Sequence, residues 1–160
     1  MNWKRILGES LLLAGALLLQ QTLVRWIAIG HVRPDLTLIA LTFVALRRGS
    51  IAGLYAGLAL GLIQDVYAVA SLGANTLAKC LVGYGLGFFE ERIVKVMPAT
   101  RVLLLGAAFV LHDAVFYPAS GLQGGMIGSA WLRQSLPSAL YTLILGGLVF
   151  YAAGWKSREE

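Results

Sequence analysis

The sequence predicts an all-α integral membrane protein, a six-helix polytopic bundle that forms a single transmembrane domain over residues 1–160. Hydrophobic residues make up 58% of the chain, charged residues only 13%, and the mean hydropathy is +0.75. Apolar runs recur along the whole length, and a helix needs about 20 mostly apolar residues to cross a bilayer. A soluble domain of this length would carry more charge on its surface.

The first predicted helix is Ile6–Val24. It resembles a secretory signal sequence, but its apolar run is long and holds Gln20 and Gln21 near its end. A clear small-residue cleavage site is missing. We therefore expect a retained signal-anchor helix with the N-terminus inside the cell.

The second predicted helix is short and irregular. Pro34 and Asp35 form a helix-start motif, with proline in the first turn and the acid near the positive end of the helix dipole. Only about 13 residues reach to Leu46, or about 20 Å, which is too little to cross a bilayer. Trp26–Val32 is expected to form an interfacial or re-entrant entry, which protein or a water-filled cavity must surround.

Four further helices follow. The longest connection, residues 118–135, is glycine-rich and weakly amphipathic around Met126–Arg133, and Trp131 suits the membrane interface. The predicted spans are Ile51–Val66, Thr76–Phe89, Val102–Tyr117 and Leu136–Gly154.

The basic residues orient the predicted bundle. With the N-terminus in the cytoplasm, nine of them fall on the cytoplasmic side and three outside, as the positive-inside rule requires. The multi-pass chain is thus expected to have both termini in the cytoplasm. Basic residues in short clusters suit anionic lipid and give no support to nucleic-acid binding. The inside set is Lys4, Arg5, Arg47, Arg48, Arg92, Lys95, Arg101, Lys156 and Arg158; the outside set is Arg25, Arg33 and Arg133.

Glycines recur at helical spacing on two neighbouring helices. Gly53, Gly57 and Gly61 share one face of the third helix, and Gly83 and Gly87 repeat the pattern on the fourth. Such stripes let helix backbones approach closely in a membrane. Two roles are open: packing within the bundle, or a face that docks a helix of a partner.

Charged residues at membrane depth are costly and are usually paired, turned inward or functional. Asp65 and Lys79 lie at similar depth on a helical hairpin, where Asn75 can cap the fourth helix. An Asp65–Lys79 ion pair is therefore predicted, and Asp113 is expected in the same external half. A structural clamp is the favoured role, ahead of a transport or ligand site and of contact with another protein.

Residue patterns for catalysis, metal binding and cofactor binding are missing. The single cysteine, Cys80, excludes an internal disulfide, and the two histidines, His31 and His112, lack metal-ligand spacing. The chain is therefore predicted to be no enzyme, with no cofactor and no metal.

Two stretches resemble the MreD family of bacterial rod-shape-determining membrane proteins. They are PDLTLIALTFVALRRGSIAGLYAGLALGLIQD and SLGANTLAKCLVGYGLG, and together they run from Pro34 to Gly87. The resemblance implies a non-enzymatic scaffold of the cell-elongation complex, which makes peptidoglycan and sets cell shape, in the bacterial inner membrane. The implied partner is MreC and, through it, MreB, RodA and a penicillin-binding transpeptidase.

The same resemblance carries an alternative. The family is similar in architecture to the S-components of energy-coupling-factor vitamin transporters. A small-molecule-binding membrane subunit is therefore the second expectation, and the short second helix and the polar residues of the external half support it. The resemblance transfers neither catalytic residues nor partner-contact residues.

Overall fold

The computed structural model describes residues 3–22, 26, 32–68, 72–92, 98–121, 128 and 131–152, and every regular element in these ranges is helical. Within these ranges, the prediction of an all-helical bundle with six α-helices is confirmed. A five-residue π-helix, Trp131–Ser135, leads directly into the last helix. The helices are α1 (Trp3–Thr22), α2 (Leu36–Arg48), α3 (Ser50–Tyr67), α4 (Ala74–Arg92), α5 (Pro98–Ala119) and α6 (Leu136–Ala152).

Helix α2 lies at the centre of the bundle and contacts each of the other five helices. It has 13 residues, so the short second helix is confirmed. Nine of its residues are buried, and seven of these are apolar, as expected for a helix enclosed by protein rather than lipid. An apolar helix of this length suits a core position better than a membrane span.

The start of α2 differs in detail from the prediction. Asp35 is the N-cap, since its side chain accepts a hydrogen bond from the Leu38 backbone N–H, and Pro34 precedes the cap rather than lying in the first turn. Gly49 ends α2 with a φ of 88°, which favours glycine, and α3 begins at the next residue. The expected entry over Trp26–Val32 lies outside the described residues, apart from its two ends.

The glycine stripes lie in the contact between α3 and α4. A Cβ atom on Gly57 would overlap the backbone carbonyl of Lys79, and one on Gly53 would overlap the carbonyl of Gly83. Gly61 lies against the backbone of the first turn of α4, and Gly87 lies against the backbone at the start of α3. Of the two roles that the sequence left open, these contacts show packing within the bundle.

Each end of the α3–α4 pair is capped by a carboxylate from the opposite helix. Asp65, near the end of α3, accepts hydrogen bonds from the backbone N–H groups of Asn75 and Thr76. Glu91, near the end of α4, accepts one from the backbone N–H of Ser50. These bonds satisfy N–H groups that have no partner within their own helix. Asn75 as the cap of the fourth helix is therefore wrong: α4 begins at Ala74, and Asn75 is a donor to Asp65.

The outer faces of the bundle are rich in exposed apolar side chains. Leu11, Leu103 and Ile144 each expose 70% or more of their surface. Helix α3 and residues 100–119 of α5 are each long and apolar enough to cross a membrane. Six membrane crossings with both termini in the cytoplasm stay a prediction.

Candidate functional site

Several polar residues of the core meet where the chain enters α2. The carboxylate of Asp35 accepts hydrogen bonds from the Thr37 hydroxyl at 2.6 Å and from the Leu38 N–H at 2.9 Å. Its second oxygen forms an ion pair with the ammonium of Lys79 at 3.3 Å. The backbone N–H of Asp35 donates to the hydroxyl of Thr142 on α6. Asp35 thus links its own helix to α4 and α6.

Lys79 continues this network into α5. Its side chain is only 1% exposed, and its Nζ lies 3.2 Å from Nε2 of His112. On the other side of the ring, Nδ1 of His112 lies 3.2 Å from a carboxylate oxygen of Asp113. We call these four residues, Asp35, Lys79, His112 and Asp113, the buried polar chain. It joins the start of α2 to α4 and α5.

The donors in the buried polar chain can be assigned from chemistry. An ammonium group has donors and no acceptor, so the Nε2 atom of His112 must be the acceptor for Lys79. A neutral imidazole carries its proton on the other nitrogen, so Nδ1 donates to Asp113. The histidine is therefore neutral in this arrangement, with a defined tautomer.

The predicted Asp65–Lys79 ion pair is wrong. Both oxygens of Asp65 are occupied by Asn75 and Thr76 in the first turn of α4, and the carboxylate that pairs with Lys79 is Asp35. Asp65 is level with that first turn, whereas Lys79 begins one turn deeper and its side chain extends to α2 and α5. Lys79 and Asp113 do belong to one cluster, with His112 between them.

Polar side chains from α1, α3 and α6 also contact the start of α2. The amide of Gln20 donates to the carbonyl of Pro34 and accepts from the N–H of Leu36. Gln64 donates to the Thr37 hydroxyl, and the Ser138 hydroxyl accepts from the backbone of Arg33. Four of the other five helices, α1, α3, α4 and α6, therefore supply polar contacts to this short stretch, and α5 is linked to it through Lys79.

Sequence reasoning missed most of these residues. Asp35 was interpreted only as a helix start, and His112 was considered for metal binding but was not placed in the predicted polar cluster. The available signal was the recurrence of Gln20, Asp35, Gln64, Lys79 and His112 as polar residues within apolar helices. Each of them lies in the external half of its predicted helix.

The role of Gln20 can be tested against its neighbour Gln21, which is exposed. Gln20→Leu removes both hydrogen bonds between α1 and the start of α2, so we expect the free energy of unfolding to fall by about 1–2 kcal/mol. Gln21→Leu should change it by less than about 0.5 kcal/mol. Thermal unfolding of the two variants in detergent measures the difference, and equal stability would contradict the role of Gln20.

The chemistry available at this site is the pairing of buried charges. Among the described residues, no group of three or more histidine, cysteine or acidic side chains could hold a metal ion. The thiol of Cys80 lies apart, facing the Leu54 carbonyl. Two apolar cavities lie elsewhere: one of about 350 Å³ between α3 and α4, and one of about 550 Å³ between α5 and α6.

These features define an all-helical bundle with an apolar exterior, in which the buried Lys79 pairs with Asp35 and contacts His112. The family described as rod shape-determining protein MreD matches residues 5–152, nearly the whole chain. The chain therefore belongs to the MreD family, and membership implies a role in rod-shape determination. No curated protein and no solved structure shows significant similarity to it.

Proposed function

We propose that this chain is a non-enzymatic scaffold of the bacterial cell-elongation complex. It binds a transmembrane helix and the adjacent region of MreC and, through MreC, connects MreB, RodA and a penicillin-binding transpeptidase. The observation that carries the proposal is the family match over residues 5–152. The complex lies in the inner membrane, with both termini of this chain in the cytoplasm.

The buried polar side chains bond to other residues within the bundle, and this supports a scaffold role. Lys79 is held by Asp35 and His112, and Asp65 caps α4, so these side chains stabilise the fold rather than face outward. The exposed surface is dominated by apolar side chains on the outer helices. In a membrane such faces associate with other helices through close packing.

The alternative is a small-molecule-binding subunit like the S-component of a vitamin transporter. A ligand in the external half would need polar groups that face a cavity. The polar groups at the start of α2 instead contact one another, and the two cavities are lined almost entirely by apolar side chains. These contacts favour the scaffold.

The proposal is tested by co-expressing the tagged chain with an MreC protein in a rod-shaped bacterium depleted of its own MreD. We expect MreC to co-purify in mild detergent and the cells to regain rod shape. A single-span membrane protein with an unrelated helix is the control and should not co-purify. A folded, monodisperse chain that captures no MreC and leaves the cells round would overturn the proposal.

A further inference from the structure

One buried carboxylate oxygen of the buried polar chain has no hydrogen-bond partner. Asp113 uses Oδ1 to accept from His112, whereas its Oδ2 is buried and has no partner among the described residues. The residue is only 6% exposed. A buried acceptor without a donor is costly, and a buried charge without a counter-ion is more so.

The charges of the buried polar chain do not balance. Two carboxylates, Asp35 and Asp113, accompany the single ammonium of Lys79, and His112 is neutral in the observed hydrogen-bond pattern. With these hydrogen bonds, the buried polar chain therefore carries one excess negative charge. A single added proton would neutralise it.

We propose that the buried polar chain binds one exchangeable proton, which enters at Asp35 and is stored on Asp113. Asp35 is the entry because its side chain is 20% exposed, whereas Lys79 is 1% exposed. The three hydrogen bonds, of 3.3, 3.2 and 3.2 Å, form a continuous path between the two carboxylates. Buried chains of acids and histidine are a recurring means of moving protons within membrane proteins.

The transfer balances without any other reactant. Lys79 gives a proton to Nε2 of His112, and the ring releases its Nδ1 proton to Oδ1 of Asp113. A proton from water, passed through Asp35, restores the ammonium of Lys79. The net change is one proton from solvent on Asp113, with Lys79 still charged and His112 still neutral. No electrons are exchanged.

Proton uptake changes the hydrogen bonds between helices at this site. After the transfer Nε2 of His112 carries hydrogen and faces the ammonium of Lys79, and two donors cannot bond to each other. Lys79 then keeps only Asp35, so this hydrogen bond between α4 and α5 is lost while the ion pair between α4 and the start of α2 remains. Among the described residues, the charged and titratable groups that act on His112 are Lys79, Asp35 and Asp113. The polar groups from α1, α3 and α6 at this site are uncharged.

The experiment measures the tautomer of His112 in the full chain. The chain is labelled with ¹⁵N-histidine, placed in phospholipid vesicles and studied by solid-state NMR from about pH 8 to about pH 5. His31→Gln identifies the signal of the other histidine. We expect a neutral ring throughout, with the proton on Nδ1 at high pH and on Nε2 at low pH. A ring that keeps the Nδ1 proton, or one that becomes cationic, would overturn the proposal.

An infrared measurement checks the other end of the path. Acidification should produce the absorption of one buried carboxylic acid, which disappears in Asp113→Asn and persists in Asp65→Asn. Persistence of the band in a folded Asp113→Asn variant would contradict storage on Asp113. The tautomer measurement is made on a protein that retains Asp113, so it decides the question even if the Asp113→Asn variant fails to fold. Neither measurement depends on binding to MreC.

Discussion

Replacing Lys79 with methionine should lower the free energy of unfolding by about 3–5 kcal/mol, because it leaves the Asp35 carboxylate without its counter-ion. Methionine keeps much of the length and flexibility of the lysine stem, so the change removes charge more than volume. It also removes the donor to His112. Chemical or thermal unfolding of the full chain in detergent measures the loss.

The double variant Lys79→Met/Asp35→Asn isolates the contribution of charge. Asparagine retains an oxygen that can accept from Leu38, so it preserves the helix cap while it removes the carboxylate. We expect the double variant to recover a large part of the stability lost in the single one, since neither charge is then left unpaired. A double variant as unstable as the sum of the two single variants would contradict the pairing.

An ion pair with a more exposed basic residue provides the control. Arg48 pairs with Glu9 at 2.8 Å between α1 and α2, and its side chain is 32% exposed. Arg48→Met should cost less than about 1 kcal/mol, because water screens the charges of exposed pairs. The contrast between Lys79 and Arg48 separates burial from the mere removal of a basic residue.

Replacing Gly57 with leucine should lower the free energy of unfolding by about 3 kcal/mol or more, the upper end of the cost of overpacking. Even a Cβ atom at this position overlaps the backbone carbonyl of Lys79, so α3 and α4 must move apart. Separation would also strain the cap that Asp65 provides to Thr76. Unfolding in detergent and the yield of monodisperse protein measure the effect.

Gly15 on α1 is the matched control, because a Cβ atom there meets nothing within 4 Å. Gly15→Leu should leave stability unchanged or raise it by up to about 1 kcal/mol, since leucine favours the helix more than glycine does. If Gly15→Leu and Gly57→Leu lowered stability equally, close packing at the α3–α4 contact would not explain the glycine stripe.

Most of the fold could be predicted from the sequence because helix length and composition are local properties. The six helices and the short α2 followed from apolar runs and from the distance between Pro34 and the next basic cluster. The glycine stripes likewise indicated a close helix contact, because every fourth residue lies on about one face. Which helix filled that contact was left open by the sequence, and the structure shows that the two stripes lie against each other.

The pairing of charges could not be predicted in the same way. Lys79 was assigned to Asp65, the nearest carboxylate along the hairpin, but its partner Asp35 lies 44 residues away in the chain. Pairing depends on how deep each residue lies and which way its side chain extends, and both are set by tertiary packing. Asp65 was also given the wrong role, since sequence patterns predict caps from residues next to a helix and not from an opposite helix.

The ion pair between Asp35 and Lys79 also has a consequence for biosynthesis. Asp35 precedes Lys79, so the carboxylate has already been synthesised when the lysine leaves the ribosome. The α3–α4 pair is likewise complete by Arg92, with both caps supplied from within it, before α5 exists. A nascent chain that has reached Arg92 therefore already contains the counter-ion that its buried lysine requires.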